Sequence, residues 1–400
     1  MTEPNGVSWQ SAPVSTPGPT ISFAFNLAKV PDQGEDSDPI VRDGPDLGLI
    51  GVFDGMGGAG GTVYDTPEGP RSGAYLASRI ARDVVERRML ELLEPDWNLN
   101  GKSTAQELHR SVRQALSDRL AELNAPPSGL RSRLLRALPT TMALIALQRT
   151  QPGGPAWACH VFWAGDSRAY VFEPAGARQL TSDDLRDPGD AMANLRRDSV
   201  VSNAASADTE FHVNHRRVEL RAPFLVVCAT DGCFGYLSSP MHFEHLVLGQ
   251  LQSARSADAW SAALQAHIAA VTGDDAAMSL LGVGADFGEF QALFARRVAE
   301  LEQQFIVPLD ELSNAVVQAE HELEQLRRRE LDEAAKAWDR YKPDYELYFR
   351  PQAVAEGNEY DDGTDGLSSE EPAGLTVMTQ ETDIVQQSQP EPSRDEEASS

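Results

Sequence analysis

Cysteine is scarce: Cys159, Cys228 and Cys233 are the only three in 400 residues. Each lies in or beside an apolar run, and none has the spacing of a metal ligand pair. A disulfide framework and a zinc finger are thereby excluded, and buried thiols of a reducing compartment are expected. Long apolar runs are also missing; none reaches the roughly 20 residues that cross a bilayer. The N-terminus has no basic stretch followed by an apolar one, so no secretory signal is read there. Positive charge is in short supply. There are 34 Lys and Arg against 61 Asp and Glu, a formal net charge of -27 with a pI near 4.6. A chain this acidic is a poor partner for nucleic acid or an anionic membrane surface. These absences predict a soluble, cytoplasmic protein with neither nucleic acid nor membrane as partner.

What is present divides the chain into four parts. Residues 1–20 are rich in Pro, Ser, Gly and Thr and are expected to be disordered. From residue 21 to 286, short apolar runs alternate with helical patterns. Strands are predicted at 21–28, 49–53, 141–147, 156–164, 168–173, 217–220, 224–229 and 276–284. Helices are predicted after Pro70, from Ser103, and over 256–270. The polar stretch from about 180 to 208 reads as a mobile flap. Residues 287–350 carry an apolar seam. Phe290, Phe294, Val298, Leu301, Phe305, Leu309, Leu312, Val316, Ala319, Leu323 and Leu326 are spaced three or four apart. That spacing is a helical seam, to be kinked or broken at Pro308. Two uses are open to it: packing back on the preceding domain, or binding a protein partner or a second copy. Residues 351–400 hold 13 Asp and Glu against Arg394 alone. They bury too little to order themselves and read as an acidic disordered tail.

The chemistry concentrates in the acids. The run Leu49 to Phe53 ends in Asp54-Gly55-Met56-Gly57-Gly58. A second apolar run ends in Asp231-Gly232, a third begins after Asp274-Asp275, and loops add Glu35-Asp36 and Asp166. Asp-Gly is also a common turn dipeptide, so one such pair alone decides nothing. No His or Cys cluster accompanies these carboxylates. An all-oxygen set selects Mg²⁺, Mn²⁺ or Ca²⁺ over zinc, and the EF-hand spacing is absent. Carboxylates gathered at one sheet edge repel each other unless cations are present.

Seven segments occur in order: Glu35-Asp36, Phe53-Asp54-Gly55-Met56-Gly57-Gly58, Pro139-Thr140-Thr141-Met142-Ala143, Gly165-Asp166-Ser167-Arg168-Ala169-Tyr170, Leu180-Thr181-Ser182-Asp183-Asp184, Thr230-Asp231-Gly232 and Gly273-Asp274-Asp275. Together they resemble the ordered motifs of the metal-dependent protein phosphatases (PPM, type 2C), bacterial members in particular. The resemblance spans roughly residues 21–286. It implies an α+β fold, an α-β-β-α sandwich of two antiparallel sheets flanked by helices, here with a C-terminal helical extension. It implies two Mn²⁺ or Mg²⁺ ions, with a third held more weakly. Asp54 would bridge the two ions. Asp231 and Asp274 would hold the first, and Glu35 with the Gly55 carbonyl the second. Asp166, with Asp231, would hold the third. Asp36 would orient the attacking water, which bridges the two ions. The implied substrates are phosphoserine and phosphothreonine in phosphorylated proteins.

Several positions depart from that pattern. Pro31 stands where family members often have a phosphate-binding Arg, with Lys29 as the nearest substitute. Gly34 stands for an Asn, Asp275 for an Asn and Ala277 for a Ser or Thr. Met56 occupies the place of a histidine acid. The alternative these departures raise is a pseudophosphatase that binds phosphoproteins without turnover. His160, His212 and His215 are expected to be structural.

Overall fold

The computed structural model describes residues 16–92, 99–123, 136–197 and 199–348. The acidic tail at 351–400 and most of the N-terminal stretch lie outside the described residues. The first strands are β1 (Pro19–Leu27), β2 (Ile40–Gly44), β3 (Leu47–Val52) and a hairpin of β4 (Val63–Thr66) and β5 (Gly69–Ser72). Two helices follow, α1 (Gly73–Leu92) and α2 (Gly101–Glu122). Then come β6 (Met142–Arg149), β7 (Ala156–Ala164), β8 (Arg168–Glu173), β9 (Gly176–Gln179) and the short α3 (Ala191–Arg196). The domain continues with β10 (Asn214–Arg221), β11 (Phe224–Ala229), α4 (Pro240–Ser253), α5 (Ala257–Val271) and β12 (Ala276–Val283).

These strands form two five-stranded sheets, ordered β1-β12-β11-β8-β9 and β10-β7-β6-β3-β2. Every pairing within them is antiparallel. The chain is therefore the predicted α+β sandwich. Side chains alternate faces along a strand, and that alternation builds three apolar layers. Ile50 and Val52 of β3 point between the sheets, with Ile145, Val161, Val171, Val226 and Leu281. Leu49 and Phe53 point the other way, onto α1 and α2. The third layer lies between the other sheet and α4 and α5, around Trp260 and Phe243. All residues of β11 and β12 are buried, because both of their faces are covered. This accounts for their apolar runs lacking a polar period.

The seam after residue 286 divides into two halves. Asp286 caps α6 (Phe287–Leu301) in a capping box with Glu289. Phe290, Phe294, Val298 and Leu301 are buried in the same layer as Trp260. Arg297 grips Glu244 of α4 through Nε (2.7 Å) and Nη2 (3.0 Å). A π-helical turn, Glu302–Ile306, comes next, and then α7 (Val307–Tyr345). The widened turn falls just ahead of Pro308, which has no N–H to continue a regular ladder. The compact unit runs to Glu324, with the remainder from Gln325. A boundary at 286 therefore cuts through the unit. Phe294→Ala is expected to destabilise the protein by roughly 3–5 kcal/mol in chemical denaturation, as for other buried aromatics. No helix among the described residues is long and apolar enough to cross a membrane.

Candidate active site

A cavity of about 590 Å³ opens at the edge where β3, β11 and β12 meet their loops. Its lining includes Glu35, Asp36, Asp54, Gly55, Asp166, Asp231, Asp274 and Asp275. All seven site residues read from the sequence thus reach one cavity. They come from five loops, and the two sheets bring them together.

Asp54 follows β3 directly. Its backbone carbonyl accepts from Thr141 N (2.9 Å) and Thr140 Oγ1 (2.7 Å), which pins the turn to the loop before β6. Gly55 must be glycine: a Cβ there would lie 2.6 Å from both Ala74 O and Glu35 O. A Cβ on Gly57 would lie 2.0 Å from Glu35 Oε2. The glycines therefore let the 54–58 turn close onto Glu35, as expected where a backbone makes close approach.

Asp36 is buried and accepts from Thr230 Oγ1 (2.9 Å). Glu35 accepts from Ser72 Oγ, and its own N–H donates to Asp275 Oδ2 (2.6 Å). Asp231 opens a tight turn whose amides at Phe234 and Gly235 return to its carbonyl. Asp166 sits after Gly165, whose φ of +106° suits only glycine. Asp274 is exposed on the loop ahead of β12.

Burial and mutual repulsion govern the titration of these acids. Burial, then the charge of Asp231, pushes Asp36 up to about 8 despite the Thr230 hydrogen bond. Burial also raises Asp54 well above the carboxylate range, reinforced by Asp36, Asp231 and Asp166. Asp166 is raised to about 7 by burial and Asp231, and Asp231 to about 6 by burial and Asp274. Glu35 is raised by burial, with Asp275 and Asp274 adding to the effect. Among the described residues, no three His, Cys, Asp or Glu are gathered tightly enough to form a closed metal-binding group. The acids share a cavity, and the side chains of Asp36 and Asp54 are within hydrogen-bond reach of each other. In donor chemistry they fit hard divalent cations: every available donor is an oxygen, and the charge they crowd together is one that cations neutralise.

Sequence reasoning missed the frame that holds these acids. Asp275 accepts two backbone amides, Lys29 N (2.8 Å) and Glu35 N (2.6 Å), so it staples the 29–35 loop to the start of β12. Arg79 of α1 donates to Gly34 O (3.1 Å) and Glu35 O (3.2 Å) from the other side and lies on the Tyr75 ring. The stretch read as a mobile flap contains two anchors. Asp183 forms a bidentate pair with Arg168 at 3.0 and 2.6 Å, with both side chains buried. Asp184 collects Gly165 N, Asn203 Nδ2 and Asn214 Nδ2 on one oxygen. The sequence signal for both was the motif Leu180-Thr181-Ser182-Asp183-Asp184, which marks the acids without showing what they hold. Lys29 is exposed, and no lysine or arginine is among the residues lining the acid cavity. A neighbouring cavity shares Asp166 and Asp231 and brings in Arg196 and Arg197 from the end of α3. His160 and His215 contact each other (3.2 Å) away from the acids.

No family model and no curated protein matches the sequence. Solved structures do. The serine/threonine phosphatase PstP/Ppp of Mycobacterium tuberculosis matches at 18% identity over 66% of this chain and 98% of its own, with a TM-score of 0.46. The chain matches bacterial PPM-type phosphatases in structure. The PPM Ser-Thr phosphatase MsPP of Mycobacterium smegmatis matches at 12% identity, covering 66% of this chain and 100% of its own (TM-score 0.44). PppA of Pseudomonas aeruginosa matches at 18%, covering 66% and 96% (TM-score 0.43). The PstP catalytic domain has also been solved in complex with 2 manganese ions. At these identities the likeness describes a fold.

Proposed function

We propose that the chain is a metal-dependent serine/threonine protein phosphatase. The observation that carries this reading is the set of carboxylates that line one cavity, among which Asp36, Asp54, Asp166 and Asp231 are held above the ordinary carboxylate range by burial and by one another's charge. Such a set is costly to the fold unless it is used. Asp54, Glu35, Asp231, Asp274 and the Gly55 carbonyl would hold two Mn²⁺ or Mg²⁺ ions, and Asp166 with Asp231 a third. Bound there, the ions would supply charge neutralisation and Lewis-acid activation for in-line attack of water on phosphorus.

The chain's own groups have separate tasks. Asp36, fixed by Thr230, would accept a hydrogen bond from the attacking water and orient it. Gly57 and Gly58 keep side chains out of the path of the phosphate. Arg196 and Arg197 line the neighbouring cavity that shares Asp166 and Asp231, and would offset the substrate's negative charge in place of the arginine that Pro31 replaces. Met56 offers no proton, so the leaving serine or threonine oxygen would be protonated by water.

The test is hydrolysis of p-nitrophenyl phosphate and a phosphothreonine peptide by the purified chain with Mn²⁺. Turnover abolished by EDTA and restored by Mn²⁺ is the expected result. Peptide binding with no turnover would replace this reading with that of a pseudophosphatase.

A further inference from the structure

Half of the seam predicted from the sequence is consumed inside the protein, and half is not. Phe290, Phe294, Val298 and Leu301 of α6 are buried. In α7, none of the 39 residues is buried. Leu312, Val316, Leu323 and Leu326 remain 66%, 55%, 48% and 54% exposed. A helix draws most of its stability from covering an apolar face, and a continuous exposed apolar stripe marks an interaction surface.

The stripe has heptad spacing. Leu309, Val316 and Leu323 fall at the first core position, and Leu312, Ala319 and Leu326 at the second. Glu330 takes the next first-core position and ends the seam. Val316 is the one β-branched residue at the first core position, between Leu309 and Leu323, so the number and direction of the strands rest on the flanking charges. We infer that residues 309–327 of α7 bind a second copy of this chain as a parallel, in-register coiled coil.

Flanking charge selects that orientation. In the parallel arrangement Glu322 of one chain faces Arg327 of the other, and the two-fold axis makes this pair twice. The antiparallel arrangement with the same apolar overlap sets Leu309 against Leu326. It places Ser313 against Glu320 and Ala315 against Glu322, with no opposite charges paired. Both arrangements bury the same core positions, so charge complementarity decides between them.

The full chain is expected to show concentration-dependent dimerisation by sedimentation equilibrium. Leu312→Glu with Leu323→Glu should give a monomer that stays folded, with any loss of helical circular dichroism no larger than the share of α7, because both side chains are exposed and lie outside the apolar layers of the sandwich. Glu322→Arg should weaken dimerisation by about tenfold, and Arg327→Glu in the same chain should restore it. Crosslinking reads the orientation directly, since Cys159, Cys228 and Cys233 are all buried. Leu312→Cys alone should oxidise to a covalent dimer. A chain that stays monomeric at ~100 μM overturns the proposal. So does a dimer indifferent to the double Glu variant. Crosslinking only when Leu312→Cys and Leu323→Cys chains are mixed overturns the parallel assignment.

Discussion

Asp54→Asn is expected to lower kcat/KM for p-nitrophenyl phosphate by about 10³-fold or more, while raising the thermal midpoint of the metal-free protein. The two effects have one origin. Asp54 is raised well above the carboxylate range by burial and by the charges of Asp36, Asp231 and Asp166. Without cations, its ionised form is a liability to the fold. An amide of the same shape removes that charge and relieves its neighbours. In the metal-loaded state the same carboxylate is the proposed bridge, and an amide is a much poorer ligand. Steady-state kinetics with Mn²⁺ and thermal unfolding in EDTA read the two sides separately. A variant that loses activity and also loses metal-free stability would show Asp54 to be structural.

The metal-free protein should become less stable as the pH rises from 6.5 to 8.5. Asp36, Asp166 and Asp231 are raised to about 8, 7 and 6. An unfolded Asp titrates near ~3.9. The folded state therefore binds protons that the unfolded state has already released. The stability this contributes is fully present below the unfolded value and is lost as pH climbs through the folded values. Histidine pulls the other way at lower pH: His160 is depressed to about 4, mainly by burial. Unfolded histidine is half protonated at ~6.5 and largely neutral by ~7.5, so its opposing contribution is confined to the lower half of the window. A fall in midpoint of roughly 5 °C across it is expected in EDTA. Saturating Mn²⁺ should flatten the dependence, because cations replace the protons. A midpoint that is constant or rises with pH in EDTA would remove the electrostatic basis of the site.

The sequence reading and the structure part company at particular places. The strands at 156–164, 168–173 and 224–229 were legible to the residue, because β-branched and aromatic runs bounded by turns have few other uses. The hairpin β4–β5 and strand β9 were not legible. Each strand is four residues long and lacks an apolar run. Helix α4 was missed although Ser239 caps it and Pro240 opens it, since histidines and a glycine interrupt its apolar face. For the seam after residue 286 the sequence left two uses open. Heptad spacing is the same whether a stripe meets its own core or another chain. Only the position of α6 against α4 shows that Phe290 and Phe294 are spoken for.

By itself, the sequence determined most of the strands, their order along the chain, and the acids that flank three of them, because periodicity and strand-end acids are local features that a linear chain displays. The sandwich and the seven candidate site positions came only through the family resemblance of the ordered motifs. The tertiary structure alone decided that loops 240 residues apart close on one another, through Asp275 and the amide of Glu35. It alone decided that Asp183 is a buried partner of Arg168, that Asp184 anchors three donors, and that the second half of the seam stays exposed. The opening motif shows the division. Asp54 and its glycines were visible as a turn, but what makes that turn a site is the repulsion between acids from five loops, which exists only once the two sheets have packed.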